Sequence, residues 1–469
     1  MKITFVGHAS ILIETRGLRI ISDPWWGRPC FGVQWWSYPL PVVEPVFAAE
    51  IDYIYISHGH ADHFHLPTLR SFSRNSKVVI PTGSDMAKRL TQAGFHVIEV
   101  AADQEYELGN GVKCRVMPTH GDDSLMLISD GSRTCLNLND ALHSAPRETQ
   151  RRFANLLRSL YTKIDYLFCG YGTASHFPNC YRIPGKDSVE SARVRQAYFN
   201  RQWAWLIAAF NPRFSFPFAA DVALLEEELF WWNEAVQHGE WPVAALREEF
   251  PSYSGQAMNI APGFVIEDDA VMCPRYREAV DIRKLKQALA HGIKKSRQYE
   301  KPTDVMVQST LEMLRSNALL CNAYLREFPH DYLVLIRLRG TMSGYQIGKI
   351  GSQIKVDLID NAELVAPHAG LVATTRLEYL RASLMTKYGS EILFVGSGVV
   401  MDIRSRADAE NNLQSEFRVV VERHELAPIP PKRMLTGSMA TLKNLAKAIL
   451  GRKAPLNLYD LVTWTRWKS

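Results

Sequence analysis

Histidine is concentrated in one short segment of this sequence. Nine of the fourteen histidines lie before residue 180, and four of these lie in the segment 57–65, which reads SHGHADHFH and also contains Asp62. Zinc, iron and manganese accept neutral imidazole nitrogens and carboxylate oxygens as ligands, and an ion with an open coordination position can activate water. The segment therefore predicts a metal site that can activate water.

The spacing His58-x-His60-x-Asp62-His63 indicates two ions rather than one. Two histidines separated by one residue can reach a single ion from an extended backbone, whereas Asp62 and His63 can turn towards a second ion nearby. The alternative is a solvated histidine-rich turn. We disfavour it because the clustering of four imidazoles and a carboxylate at the end of a buried strand needs one explanation that applies to all of them. We predict two divalent ions, zinc or iron, with manganese as a third option.

The cluster directly follows a nearly continuous apolar run at Ile51–Ile56, which is typical of a strand that is buried on both faces. The ligands would then lie on a strand-to-helix turn, where side chains can converge beyond the edge of a sheet. Strand and helix patterns alternate without the regular period of a doubly wound fold, so a layered sandwich is predicted. Further strands are predicted at 3–13, 18–21, 77–80, 96–100, 112–117, 125–128 and 134–138, and helices at 67–72, 84–93, 146–160 and 188–210.

The motif at 58–63 after a hydrophobic strand resembles the signature of the metallo-β-lactamase fold superfamily. The resemblance implies that His120, which follows the strand at 112–116, is the third ligand of the first ion. It also implies that Asp140 bridges the ions, since it ends the hairpin that Asp130-Gly131 predicts. The fold implied is α/β, an αββα metallo-β-lactamase sandwich over residues 1–265.

Three further features resemble one branch of that superfamily: the opening GHASILIET, the turn Asp23-Pro24-Trp25-Trp26 and the pair Trp35-Trp36. The branch contains ascorbate-6-phosphate lactonase, N-acylphosphatidylethanolamine phospholipase D and the non-Rieske part of CMP-N-acetylneuraminate hydroxylase, and the last resemblance is the nearest. That hydroxylase also binds a Rieske cluster through Cys-x-His and Cys-x-x-His pairs. This sequence contains no such pair, so we do not expect the chain to be a complete hydroxylase.

One ligand that the resemblance implies is missing. The superfamily places its last histidine after a late strand and a proline, whereas the stretch here is FSFPFAAD at 214–221. His176, His143 and Asp221 are the candidate substitutes. We favour His176 as a metal ligand, with an ordinary polar or substrate-contacting role as its alternative, and His143 as a residue outside the ligand set.

Two other histidines are weaker candidates for the metal site. We expect His8 to lie on the first strand, from which it could reach the cluster, although a core or supporting role is the favoured interpretation; we expect His65 to face solvent or substrate. The tryptophans at 25, 26, 35 and 36 are open to two interpretations, a pocket wall over the metals or plain core packing.

The predicted function is that of a dinuclear metal enzyme. The leading hypothesis is a hydrolase in which Asp62 and Asp140 are catalytic and a metal-held hydroxide attacks a phosphodiester, ester, lactone or amide. The second is a diiron oxygenase that activates dioxygen at the same site, and a carboxylate-weighted second site favours iron or manganese. A binding module without catalysis is the third. The predicted metal ligands are His58, His60, Asp62, His63, His120, Asp140 and His176.

The composition predicts a multidomain globular protein. The chain has 469 residues, of which 46% are hydrophobic and 22% are charged, and its formal net charge is +5. These values exclude overall disorder and give no concentrated basic footprint, so we expect a small-molecule substrate and no nucleic acid. Seven cysteines without a CxxC pair, and no long apolar run, favour a reducing, cytoplasmic location.

The rest of the chain shows no further catalytic constellation. We predict a helical connector at 266–330, with a basic helix at 281–300, and a smaller α+β C-terminal domain at 331–469. A basic amphipathic helix is predicted at 442–453. Packing within its own domain is the favoured interpretation of that helix, and peripheral membrane contact is left open. The oligomeric state is not predicted.

Overall fold

The computed structural model describes most of the first 404 residues. The residues not described are 33, 120–122, 144, 173–177, 184, 186, 221, 237–240, 322–332, 352, 387–388, 405–469 and all of 273–301 except 284, 287, 288 and 291. His120, His176, Asp221 and the predicted basic helices at 281–300 and 442–453 therefore lie wholly or largely outside the described residues. The chain divides into two compact units, 1–174 with 196–296 and 175–195 with 297–469. The domain limits at 265 and 330 remain predictions.

The first unit contains a mixed sheet in which eight strands are described. The strands are β1 (Lys2–Gly7), β2 (Ser10–Thr15), β3 (Leu18–Ser22), β5 (Tyr53–Tyr55), β6 (Lys77–Pro81), β7 (His96–Val100), β17 (Val265–Glu267) and β18 (Ala270–Met272). Their spatial order is β18-β17-β1-β2-β3-β5-β6-β7. The apolar run at 51–56 contains β5, which is fully buried, as its uniform hydrophobicity predicted, and which lies between parallel neighbours.

The second sheet of this unit has seven strands among the residues described. They are β8 (Tyr106–Gly109), β9 (Val112–Pro118), β10 (Ser124–Ser129), β11 (Thr134–Asn139), β12 (Tyr166–Gly170), β14 (Phe214–Phe218) and β16 (Gln256–Ala257). The predicted hairpin at Asp130-Gly131 is confirmed, because β10 and β11 pair antiparallel with Ser129 opposite Thr134. The Asp130 carboxylate accepts hydrogen bonds from the backbone N–H groups of Ser132 and Arg133, which closes the turn.

Helices cover the outer faces of both sheets, and this confirms the predicted αββα order. One apolar core lies between the sheets, where Phe5 and Tyr55 of the first meet Val116 and Phe168 of the second. Leu69 and Leu90 pack outside the first sheet, and Leu157 and Trp203 pack outside the second. The helices are α1 (Glu44–Phe47), α2 (Leu66–Leu69), α3 (Met86–Gln92), α4 (Arg147–Leu160), α5 (Ser188–Phe210), α6 (Phe230–Ala235) and α7 (Trp241–Glu249). A 3₁₀ turn at Glu227–Leu229 and a pair of strands, β4 (Trp35–Ser37) and β15 (Val222–Leu224), complete the described elements of the unit.

The second unit is a smaller α+β structure, as the sequence predicted. Six described strands form its sheet: β13 (Tyr181–Arg182), β19 (Leu333–Leu338), β20 (Gly344–Ile350), β21 (Gln353–Ile359), β22 (Leu371–Thr375) and β23 (Val399–Ile403). Its helices are α8 (Asp304–Cys321), α9 (Ala362–Val365), α10 (Leu377–Met385) and α11 (Ser390–Leu393), with a 3₁₀ turn at Ala366–His368. Leu314, Tyr345 and Leu380 lie in its apolar core. Among the helices that the structure describes, none is both long and apolar enough to cross a membrane.

Candidate metal centre

The histidine cluster lies where β3, β5 and β11 end. The parallel pairing of β3 with β5 brings Asp23 and Ser57, the residues just beyond them, to the same edge. Asp23 N donates to the Tyr55 carbonyl oxygen at 2.9 Å, and Ser57 N donates to Asp23 Oδ1 at 2.8 Å. The second sheet is tied to this edge by Ser124, whose Oγ donates to the Ser57 carbonyl oxygen at 2.7 Å. Both sheets therefore position the cluster.

His58 and His60 face each other across a short gap. The atoms that converge are His58 Nε2 and His60 Nδ1, which are 2.8 Å apart. Ser57 Oγ donates its hydrogen to Asp23, so it is free to accept one from His58 Nδ1 at 2.9 Å, which leaves the His58 Nε2 lone pair directed into the cluster. Burial lowers the pKa of His58 well below its usual range, and the neighbouring His63 and His60 lower it further. His58 is therefore neutral, as a metal ligand must be.

His63 has one nitrogen anchored and one nitrogen without a hydrogen bond. Its Nδ1 donates to Asp23 Oδ2 at 2.9 Å, whereas its Nε2 is buried and unpaired. That Nε2 lies 3.4 Å from Asp62 Oδ2 and 3.4 Å from Asp140 Oδ2. An imidazole whose outer nitrogen is held by a carboxylate is the arrangement that orients histidine ligands in metal sites.

The charges around His63 favour a positive group at this point. Burial alone would lower the pKa of His63, but the carboxylates of Asp62, Asp140 and Asp23 outweigh it and raise the pKa well above its usual range. Burial would raise the pKa of Asp62 and of Asp140, yet His63 lowers both. A bound cation would take the place of the proton on His63.

Asp140 is held in place by the turn that follows β11. Asn139 adopts a positive φ of 37°, its Oδ1 accepts from Asp140 N at 2.7 Å, and its Nδ2 donates to the Ser124 carbonyl oxygen. Gly170 at the end of β12 packs against this turn so closely that a Cβ there would lie 2.7 Å from the Asn139 carbonyl oxygen. The Asp140 side chain keeps 17% of its surface exposed against 5% for Asp62, so solvent reaches the cluster at Asp140.

The residues fit the two-ion site that the sequence predicts. Neighbouring ligand atoms on a tetrahedral zinc ion, each about 2.0–2.1 Å from the metal, are about 3.3 Å apart, and both contacts of His63 Nε2 are 3.4 Å. Three ligand atoms from His58, His63 and Asp140 lie within 4.8 Å of one another, as do three from His8, Asp62 and His63. The donors are nitrogen and oxygen, which suits zinc, iron or manganese.

The structure brings together five of the seven predicted ligands, and the other two, His120 and His176, lie outside the described residues. The ligand roles themselves stay predictions. The alternative substitute His143 is not in either group of converging ligand atoms; its Nδ1 hydrogen-bonds to the Asp140 carbonyl oxygen, and its ring packs on Phe199. Asp221 is not among the described residues.

The sequence gives no sign of the role of Asp23 and misplaces His8 and His65. Asp23 stands in the sequence only as part of a turn motif, yet its carboxylate holds both Ser57 and His63. His8 is not on the first strand but in the turn between β1 and β2, and its Nε2 lies 3.2 Å from Asp62 Oδ2. His65 does not face solvent: it is buried, with Nδ1 2.7 Å from Thr68 Oγ1.

Trp25 lies beside the cluster. The indole is fully buried, and its ring packs edge-on against His8 at 4.9 Å and against His65 at 6.4 Å between ring centroids. Its Nε1 donates to the Arg28 carbonyl oxygen. Of the two interpretations of the tryptophan-rich loop, Trp25 fulfils core packing, and the pocket wall stays a prediction.

Comparison with known proteins assigns part of the chain. Residues 2–126 match the sequence family described as the beta-lactamase superfamily domain. A Rieske 2Fe-2S iron–sulfur protein of Mycobacterium tuberculosis is 29% identical over 257 residues, which are 50% of this chain and 46% of that protein. The chain thus spans about half the length of the curated relatives it matches.

Two further similarities are more limited. Cytidine monophosphate-N-acetylneuraminic acid hydroxylase of Asterias rubens is 37% identical over 99 residues, or 20% of this chain and 15% of that protein. The structure of CmlA, a diiron β-hydroxylase from Streptomyces venezuelae, aligns with a TM-score of 0.40 and 19% identity over 58% of this chain and 54% of that one.

Proposed function

We propose that this chain, whose residues 2–126 are a beta-lactamase superfamily domain as the sequence resemblance predicted, is a dinuclear metal hydrolase. The observation that carries the proposal is the buried, unpaired Nε2 of His63, which lies 3.4 Å from the carboxylates of Asp62 and Asp140. A nitrogen lone pair buried between two carboxylates is unfavourable unless a cation or a proton lies between them.

The ligand sets follow from which atoms converge. His58 Nε2 and His60 Nδ1 would hold the first ion, and the predicted third ligand is His120. Asp62 and His63 would hold the second ion. Asp140 would serve both ions, because it reaches His63 and belongs to the same close group as His58. When bound, the ions supply an acidified water and polarise the oxygen of the bond to be cleaved.

The chain's own residues prepare this site for hydrolysis. Asp62 and Asp140 stay ionised, so their oxygens can bind the ions and accept a hydrogen bond from the water that the ions would activate. Of Asp62 and Asp140, Asp140 is the carboxylate that solvent reaches, and we place the entry of water and substrate on its side. Asp23 and Ser57 fix the imidazoles of His58 and His63 with their Nε2 atoms inward before substrate arrives. The substrates proposed are phosphodiesters, esters, lactones or amides.

A second candidate function is dioxygen-dependent oxidation at the same residues. The names of the relatives favour it, since one is a Rieske iron–sulfur protein and another a sugar-nucleotide hydroxylase. The donor set is also rich in carboxylates, because Asp123 Oδ1 lies 3.6 Å from His58 Nε2 in addition to Asp62 and Asp140. Such a set suits iron as well as zinc.

Metal analysis followed by activity assays tests the proposal. The purified chain and metal-free chain reloaded with zinc(II) or iron(II) are analysed for metal content, then assayed with bis-p-nitrophenyl phosphate and a panel of esters and lactones with and without oxygen. A hydrolase should bind two ions per chain and turn over substrate without oxygen. His60→Ala should lose metal and activity, whereas the exposed control His96→Gln should keep both.

Other results would reject the proposal. Two bound irons, an absorbance change on exposure to oxygen and no hydrolysis in any assay would support oxidation and reject hydrolysis. A chain that binds neither zinc nor iron would reject both functions.

A further inference from the structure

A histidine lies beside the stretch from which the last histidine of the superfamily is missing. The stretch that should carry the missing residue follows β14, and its first residue, Ala219, donates its N–H to the His8 carbonyl oxygen at 3.0 Å. The turn between β1 and β2 therefore lies against the backbone from which the missing side chain would have come. The backbone of a histidine in this turn therefore lies next to the backbone of the missing residue, at the same edge of the sheets.

The His8 side chain points into the cluster. Its Nε2 lies 3.2 Å from Asp62 Oδ2, and His63 Nε2 lies 3.4 Å from the same oxygen. The side chain is 2% exposed, and its ring centroid is 5.7 Å from that of His63. One ligand atom from each of His8, Asp62 and His63 thus lies within 4.8 Å of the others, which is the close group expected around one ion.

The backbone at this turn is strained in a way that serves the side chain. His8 has a φ of 49°, a left-handed conformation that glycine would adopt at lower cost. Gly7 before it cannot be replaced easily, because a Cβ there would lie 3.0 Å from Pro41 Cα. Trp25 then packs edge-on against the ring and fixes its orientation. A strained backbone that aims one buried imidazole at a carboxylate indicates a functional constraint.

We propose that His8 binds the second metal ion through Nε2 and replaces the missing histidine of the superfamily. The inference rests on the proposed two-ion site. It assigns to His8 the ligand position for which sequence alone favoured His176. The competing role is that His8 only donates a hydrogen bond to Asp62 and orients it.

Zinc binding by variants separates these roles. Metal-free wild type, His8→Gln, His8→Ala, His176→Ala and the control His65→Gln are titrated with zinc(II) against a chromophoric chelator, and bound zinc is counted. Glutamine can still donate a hydrogen bond to Asp62 but is a poor zinc ligand. If His8 is a ligand, both His8 variants should bind the second zinc at least about 100-fold more weakly, beyond the effect of most supporting residues. His65→Gln, which also removes a buried imidazole, should still bind two.

Each remaining outcome decides a different point. A His8→Gln variant with two zinc ions and unchanged affinity would overturn the inference and leave the two-ion site standing. Loss of the second zinc in His176→Ala alone would assign the position to His176 instead. A wild-type chain without zinc would reject the two-ion site itself. If the His8 variants do not fold, anomalous diffraction at the zinc edge of the loaded wild type decides: an ion about 2.1 Å from His8 Nε2 supports the inference, and one beyond about 3 Å overturns it.

Discussion

Replacement of Asp23 by asparagine tests whether the surroundings of His63 are built for a cation. The Asp23 carboxylate is fully buried and accepts hydrogen bonds of 2.7 to 2.9 Å from Ser57 N, Ser57 Oγ and His63 Nδ1. Asparagine keeps the shape but has an amide NH₂ in place of one oxygen. If Oδ1 keeps its bond with Ser57 N, this NH₂ faces His63 Nδ1, where two donors cannot pair.

The substituted amide should reverse the tautomer of His63. With Nδ1 forced to accept, the proton moves to Nε2 and points at Asp62 and Asp140, where it uses the lone pair that an ion needs. Loss of the carboxylate that orients a histidine ligand typically lowers metal affinity by about 10–100-fold. At tenfold per 1.4 kcal/mol, we expect zinc binding to weaken by about 1.4–2.7 kcal/mol. Folding should lose about 1.5–3 kcal/mol with the charged hydrogen bond.

The assay needs a buried aspartate that is remote from the metals as its control. Asp130 serves, because it is also buried and accepts from Thr15 Oγ1 and from backbone N–H groups, but it lies in the β10–β11 hairpin. Zinc affinity is measured by competition with a chelator, and stability by urea unfolding of the metal-free chains. We expect Asp130→Asn to lose stability only. The reasoning is refuted if Asp23→Asn loses stability to a similar degree and still binds two zinc ions with wild-type affinity.

Three other changes have defined outcomes. Gly170→Ala should displace the Asn139 carbonyl oxygen, which a Cβ would approach to 2.7 Å, and should cost about 1–3 kcal/mol of stability; equal urea midpoints for the variant and wild type would contradict this. His60→Ala should empty or weaken the first site with little loss of folding, because His60 lies on a turn outside the core; metal content is the measurement. Asp130 should stabilise the fold in a pH-dependent way: burial raises its pKa, but hydrogen bonds from Thr15 and the turn lower it to about 2. Its contribution is present above about pH 4 and is lost as the pH falls towards 2, so the stability difference between wild type and Asp130→Asn should narrow between about pH 4 and about pH 2.

The parts of the site that could be predicted from sequence are those whose geometry is local. His58, His60, Asp62 and His63 lie in one segment after an apolar strand, so their spacing alone places them together. Asp140 was added through the family resemblance, which places a bridging aspartate after a hairpin, and the Asp-Gly signal located that hairpin. Apolar runs and helical periods predicted a layered sandwich, since they determine which faces must be buried, and the family resemblance implied its αββα order.

The parts that could not be predicted depend on contacts between distant segments and on unusual backbone angles. The apolar pattern from Ile3 to Ile13 predicts one strand, and only the structure shows that it breaks at Gly7–Ala9 with His8 at positive φ. Asp23 likewise has a φ of 37°. Its side chain hydrogen-bonds to Ser57 and His63, which follow it in the chain by 34 and 40 positions. No periodicity within either segment encodes those meetings.

The balance of buried charge favours a cation without reference to any relative. Three carboxylates surround the His63 ring: Asp23 contacts its Nδ1, and Asp62 and Asp140 lie near its Nε2. The imidazoles closest to these carboxylates are those of His63 and His8. Even if both of these were protonated, one negative charge would remain in a poorly hydrated place, where unpaired charges are costly. Two divalent ions would supply four positive charges against these three carboxylates and let both histidines be neutral ligands, whereas a single divalent ion would leave the same deficit. This argument holds equally for zinc and iron, so the choice between hydrolysis and oxidation depends on which ion binds, and metal content must be measured before substrates are screened.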